Sequence, residues 1–581
     1  MAPTSAAPCS PTLVRAARAA LDAHLLADGP VAADAPLAGH RAWMCAVKAA
    51  VVVGLAGQAG EGDAAAASRW LSRLEALQVA DGLFATGANL ASPPDWAFTI
   101  TDVAATAAAL RRPSATAAAW VAGAAGTALG ARLEEVLRRA VPALVVGGVH
   151  TPNHRWEVAG ALVGAAALLE GPAAVAAVER AQQWLAEGID IDADGLYSER
   201  SPNYAAHVSG PALLLLAERL GRPALRESVH TNLHTVLDLT TPGGTTETVH
   251  SRRQDQHDAR FPIGPFLTLF ARFAPTCDRC RDAAAWALLL PGVDPVDAVL
   301  HCLADDDTAA GLALADERAA AATDKQLAAA ALGSGERTWG AAHLWRRWGG
   351  ADWTLVYGGS DVPAAGRVAS GLACNPTFLR LARGDVEVAS VRLSRDFFGL
   401  GPFRATGFSV EGDRIVLSEQ LAASYYQPLP VDAHRPDGDY TLEFEGRFAS
   451  AMAFSQRPRD ELRLETQVVV DVSADGVDLE VRTEGPATGH ALEIAFANDV
   501  RVEGAEPVGP QVDRLAAGPV VVRAGDSALT VTALPGGDSS PAVYSPGEAY
   551  EFLEGTDAVG GRRLYVTWSS PGTQRVTLRL R

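Results

Sequence analysis

The stretch LGSGERTWG, residues 332–340, divides the chain into two textures. Before it, apolar residues recur at three- and four-residue spacing. Examples are PTLVRAARAALDAHLL (11–26), LEEVLRRAVPALVV (133–146), EVAGALVGAAALLEG (157–171) and GPALLLLAERLG (210–221). That spacing gathers the apolar side chains on one face of a helix. Gly and Pro punctuate the run at DGP (28–30), EGP (170–172) and GRP (221–223), where one helix stops and the next begins. After the stretch, apolar and polar residues alternate, as in DVEVASVRL (385–393), ELRLETQVVVDV (461–472) and GVDLEVRTE (476–484). Alternation of period two predicts antiparallel sheets with one face of each strand buried. Helices first and strands afterwards make an α+β chain of separate domains, not a βαβ fold. We therefore expect a helical domain over 1–335 and an antiparallel sheet domain over 336–581. A train of paired helices stacks as a solenoid or closes as an α/α toroid, and the pattern leaves both open.

The chain has 581 residues, more than one core usually holds. Its 20% charged and 48% hydrophobic residues fit a folded protein, not a disordered one. The net charge of −19 disfavours nucleic acid and anionic membrane as partners. It leaves room for a small anion in a local basic pocket. The six cysteines form no disulfide-dense pattern. The C-x-x-C at 277–280 stands alone in sequence, and His230 and His234 lack the Glu of an H-E-x-x-H motif. No metal and no cofactor are expected from either. The N-terminus lacks a basic segment followed by an apolar block, and no apolar run is long enough for a membrane helix. A cytoplasmic location is the expectation.

Two short segments carry the functional reading. TPNHRWE (151–157) and SPNYAAH (201–207) share a Ser/Thr-Pro-Asn opening. Thr151 and Ser201 suit N-caps, and Pro152 and Pro202 suit first helical positions. His154 and Tyr204 then occupy equivalent places fifty residues apart, about one helical hairpin. First-turn N–H groups are unpaired and the helix dipole is positive there, so two such ends on one rim suit an anion. A third segment one hairpin later, TPGGTTETVHSRRQDQHD (241–258), crowds Arg252, Arg253, Gln254 and His257 together. DADGLYSERS (192–201) brings Glu199 beside the second helix start, and His207 lies one turn beyond Tyr204. Each residue has a plainer explanation. Asn153 could simply cap, His154 could be solvated, Tyr204 could edge the core, and Arg252 with Arg253 could be a surface pair.

The segments NHRWEVAGAL (153–162), DGLYSERSPNYAAH (194–207), SRRQD (251–255) and HLWRRWGGADWTLVYGGSD (343–361) resemble the heparinase II/III-like polysaccharide lyases. More widely they resemble the α/α-toroid lyases of chondroitin, hyaluronate and alginate. The resemblance implies an incomplete α/α toroid followed by an antiparallel β-sandwich. It implies that Asn153 receives the substrate carboxylate with His154 beside it, that Tyr204 transfers protons, and that Arg253 assists. Trp156, Glu199, His207, Arg252, Gln254 and His257 would then line the substrate, an acidic oligosaccharide or polysaccharide. The heparinase branch usually carries a His-Gly-His motif in its sheet domain. This chain has VRLSRDFFGLGPF (391–403) at a comparable place. That departure leaves the heparin-type substrate and the second proton carrier open.

The implied chemistry is β-elimination at a uronate. The C5 proton becomes acidic once donors neutralise the neighbouring carboxylate, the logic of an oxyanion hole. His has the more convenient unperturbed pKa for the base, whereas Tyr titrates near 10 and needs adjacent positive charge. Two rivals remain. A glycoside hydrolase on a similar scaffold would use a pair among Glu157, Asp194, Glu199 and Asp255. A catalytically silent carbohydrate-binding protein would need neither.

Overall fold

The computed structural model describes residues 9–29, 39–84, 92–112, 120, 124–257, 260–362, 371–445, 451–497, 499–548 and 561–580. Two compact units emerge: Met1–Thr246 with Pro262–Leu332, and Glu247–Phe261 with Gly333–Arg581. The first eight residues of the N-terminal stretch read above lie outside the described residues.

The first unit is helical. Some of its helices begin where polar caps satisfy otherwise unpaired N–H groups. Ser92 accepts from Asp95 N at the head of Pro93–Leu110, and Asp294 accepts from Val296 N and Asp297 N at the head of Pro295–Ala304. Gly221 adopts a left-handed conformation at the end of Gly210–Leu220, and Pro223 opens the next helix. The helix His40–Leu55 is buried along nearly its whole length, with Val51, Val52 and Val53 fully inaccessible. The first helix, Pro11–Leu26, packs on His40–Leu55 and also on Pro295–Ala304. A disulfide between Cys9 and Cys302 fastens that meeting of early and late helices, with Cα atoms 6.0 Å apart. Among the described residues, no helix is long and apolar enough to cross a membrane.

The second unit holds two large sheets. The eight-stranded one runs Arg501–Glu503, Val520–Ala524, Ser527–Leu534, Gly572–Leu580, Gly476–Glu484, Arg459–Ser473, Arg414–Tyr426, Gly407–Glu411. The nine-stranded one runs Glu506–Gly509, Val512–Arg514, Arg563–Ser569, Gly489–Phe496, Val386–Arg395, Leu379–Arg383, Asp352–Tyr357, Leu344–Gly349, Ser334–Trp339. Neighbours pair antiparallel, except that Val512–Arg514 runs parallel to Arg563–Ser569. Val468, Val481, Val531 and Val576 of the first sheet join Val391, Leu393, Ile494 and Val566 of the second in one hydrophobic core. Such burial of alternate residues is what fixes strand register.

The change of texture at LGSGERTWG has a direct structural cause. The last helix ends at Leu332, Gly333 turns the chain at φ 62°, and the first strand begins at Ser334. The sheet unit also takes in residues 247–261, which chain order alone sets among the helices.

Candidate functional site

The two related segments start neighbouring helices of the first unit. His154–Ala166 and Gly210–Leu220 pack together. A Cβ built on Gly160 would sit 3.4 Å from the Ala212 Cβ, and one on Gly164 would sit 3.6 Å from Leu215 Cδ2. Contacts that advance in step along both helices mean the axes run parallel. With no side chain at Gly160 the helices approach closely, and their N-terminal ends lie at the same end of the pair.

The SPNY start forms as its residues dictate. Ser201 takes an extended backbone, its hydroxyl accepts from Tyr204 N at 3.2 Å, and Pro202 is the first helical residue. The preceding Arg200 is left-handed at φ 53°, a conformation rare outside glycine. The helical turn Pro202–Tyr204 passes into a π-helical segment, Ala205–Ser209, before the α-helix begins. Such one-residue expansions recur at functional sites. Here the expansion carries His207, which is exposed. The loop before it is built on aspartates. Asp192 accepts from Asp194 N and Leu196 N, while Asn232 Nδ2 and Thr235 Oγ1 hold the carbonyls of Gly195 and Asp194.

The TPNH start departs from the expected capping. The helix begins at His154 with Asn153, not Thr151, in the capping position. The Thr151 hydroxyl donates instead to Asn153 Oδ1 at 2.7 Å. That bond occupies Oδ1 and leaves Nδ2 as the remaining donor of the amide. Asn153 is only 2% exposed, and its Nδ2 has no hydrogen-bond partner among the described residues. A buried donor without an acceptor costs about 1–3 kcal/mol.

Several neighbours, Glu157 aside, were not singled out from sequence. The His154 ring meets His150 edge-on at 4.7 Å and Phe98 at 6.4 Å. The Arg41 guanidinium lies 4.0 Å over the Phe98 ring and pairs with Asp95. Glu157, one turn into the helix, is buried and accepts from Thr101 Oγ1 at 2.8 Å. Burial pushes its carboxyl up to about 7, only partly offset by the Thr101 hydrogen bond. Arg41 and Phe98 lie over fifty residues before TPNH, so no local motif could reveal them.

Trp156 is a correction. It is fully buried, and its indole N–H donates to Asp190 Oδ1 at 3.2 Å. It belongs to the helix packing and has no surface to offer a substrate. Glu199 is also buried, at 8% exposure.

Arg252, Arg253, Gln254 and His257 belong to the second unit. Arg252 forms a two-pronged pair with Asp361, Nε to Oδ2 at 2.8 Å and Nη2 to Oδ1 at 3.0 Å. Asp361 also accepts from Ala373 N, so this pair anchors the segment to the sheets. Gln256 adds to the anchorage: Cys374 N donates to its Oε1 and Asn375 Nδ2 to its carbonyl. Arg253 N donates to Ser251 Oγ, while Gln254 and His257 are exposed. Nearby Glu247 is buried against Arg380. Burial alone would raise its carboxyl, but Arg380, Arg260 and the Val249 N–H outweigh it and hold it at about 2.

No family model matches the chain, and no curated protein matches it in sequence. Solved structures do. A heparinase III structure superposes with a TM-score of 0.53 at 10% identity, covering 100% of this chain and 87% of that one. The chondroitin AC lyase of Streptomyces coelicolor A3, solved in complex with chondroitin sulphate, gives a TM-score of 0.52 at 13% identity, covering 99% and 80%.

Proposed function

We propose that this chain, which has a heparinase/chondroitin lyase-like fold, is a lyase that cleaves a uronate-containing glycan by β-elimination. On this reading its helices form an incomplete α/α toroid and its sheets a sandwich. The observation that carries the proposal is the buried, unpartnered Nδ2 of Asn153, aimed by Thr151. A uronate carboxylate is the acceptor this donor lacks. As C5 loses its proton, charge moves into that carboxylate, and a fixed amide stabilises it more strongly than the ground state. Tyr204, on the neighbouring helix start, is the group proposed to take the C5 proton and return one to the departing oxygen. His154 stands beside Asn153 as the second proton carrier. The exposed Arg41 supplies positive charge for a sulfate or a second carboxylate.

A second reading draws on Glu157. A carboxyl that keeps its proton up to about pH 7 is suited to a hydrolase's general acid. One assay separates the two. The protein is incubated with chondroitin, hyaluronate, heparan and alginate oligosaccharides, and ultraviolet absorbance and reducing ends are followed together. Elimination creates an absorbing unsaturated sugar, whereas hydrolysis creates reducing ends alone. Tyr204→Phe is expected to abolish the absorbance gain, and Asn153→Ala to slow it by about 10²–10³-fold, in a protein that still folds. Full activity in both variants would overturn the assignment.

A further inference from the structure

A second cluster lies on other helices of the first unit. Among the described residues, one grouping of His, Cys, Asp and Glu brings its ligand atoms close enough to hold a metal: His230, His234, Cys277 and Cys280. One ligand atom from each lies within 4.8 Å of all the others. The sequence splits this set into two incomplete halves, and the expectation of no metal followed from that. Folding joins the halves. His230 and His234 stand one turn apart on Pro223–Asp238, so they share a face. Cys277 is the N-cap of Asp278–Ala287, and Cys280 lies in its first turn.

We infer that these four side chains form a structural zinc site of the Cys2His2 type. The spacing fits the ion. Cys277 Sγ is 3.5 Å from His234 Nε2. With Zn–S of about 2.3 Å and Zn–N of about 2.0–2.1 Å, tetrahedral angles set such a pair about 3.5 Å apart. His230 Nε2 is buried and makes no hydrogen bond among the described residues. Its ring stacks on Phe273 at 4.6 Å and meets His234 edge-on at 4.6 Å, so packing fixes both imidazoles. The positive end of the second helix favours thiolates, and Cys280 N already donates to Cys277 Sγ. Two thiolates and two imidazoles select zinc over magnesium or calcium, which prefer oxygen. Four protein ligands fill the tetrahedron, so the site is structural and has no position for substrate.

The site also has a mechanical consequence. Arg279, between the two cysteines, pairs with Asp238 at 2.7 Å, so the same two helices are tied at a second point. The histidine helix carries Asn232 and Thr235, which hold the loop leading to Tyr204. Zinc would stiffen the support of that loop without touching the reacting atoms.

The test does not depend on the lyase reading. The full chain is produced in zinc-supplemented medium, purified without chelator under reducing conditions, and its metal measured by mass spectrometry. The expected result is about one zinc per chain. Cobalt exchanged into the site is expected to give thiolate charge-transfer bands and intense tetrahedral d–d bands. Cys280→Ser and His230→Ala are expected to lose the metal, and Cys45→Ser, which alters an exposed cysteine outside the cluster, to retain it. Wild-type protein that carries no zinc, or whose cobalt form lacks thiolate bands, overturns the inference. So does a Cys277–Cys280 disulfide found by peptide mapping after non-reducing purification in the same medium. The decisive readings are on wild-type protein, so a variant that fails to fold does not obscure them.

Discussion

Asn153 sets function against stability within one side chain. Its amide is fixed and buried without an acceptor for Nδ2, an arrangement that folding alone does not favour. Asn153→Ala should therefore lower kcat by about 10²–10³-fold, the scale of one lost transition-state donor. The same change should leave stability level or raise it by up to about 1 kcal/mol, because an unsatisfied donor is removed. Steady-state kinetics and thermal unfolding of the same preparation check both halves. Glu157 makes a prediction in pH. Folded, it holds its proton to about 7; unfolded, it releases it near the ordinary glutamate value of 4.5. The folded state thus binds more protons across that window, and stability falls as pH rises through it, by up to about 3 kcal/mol. Glu157→Gln should remove that part of the slope, as read from urea unfolding at a series of pH values from 4 to 8. Trp156 was not legible at this scale. Its helix is buried on several sides, so no polar face distinguishes a residue that lines a cleft from one that fills the core.

Elements were easier to read than residues. GPALLLLAERLG forms Gly210–Leu220 and GVDLEVRTE forms Gly476–Glu484, because periodicity is a local property of the chain. The two helix starts show where that locality fails. Ser201 caps as its sequence implies, but the Thr151 hydroxyl is drawn to Asn153. A capping residue with a second polar partner two positions away has a choice that only the surroundings decide. The difference is measurable. Ser201→Ala should cost about 1 kcal/mol in unfolding free energy, as loss of a cap does. Thr151→Ala should cost less stability but slow the reaction, since it frees the amide that the hydroxyl aims. The candidate zinc ligands were illegible for a related reason. Cys277 and His234 are 43 residues apart, and only the packing of two helices makes them neighbours.

At the scale of the whole chain, the division into helices and sheets followed from apolar periodicity, whereas the membership of 247–261 in the sheet unit did not. That segment is short and polar, and it is held by Asp361, Cys374 and Asn375, which lie over a hundred residues later. The helical unit has a covalent tie of its own. Cys9 and Cys302 join positions 293 residues apart. Replacing both with serine should lower the stability of the helical unit by about 2–4 kcal/mol, with the sheets little affected, as calorimetry and domain-specific proteolysis would show. The π-helical segment at Ala205–Ser209 has a consequence for inheritance. That wide turn takes up one residue more than an α-helical turn, so deleting one residue there would restore an ordinary α-helical repeat and leave the flanking turns close to their present phase. A single lost codon would thus spare the interior on both sides and alter only the short backbone that carries His207. Descendants of such a gene would fold as their ancestor did and differ from it at that one turn alone.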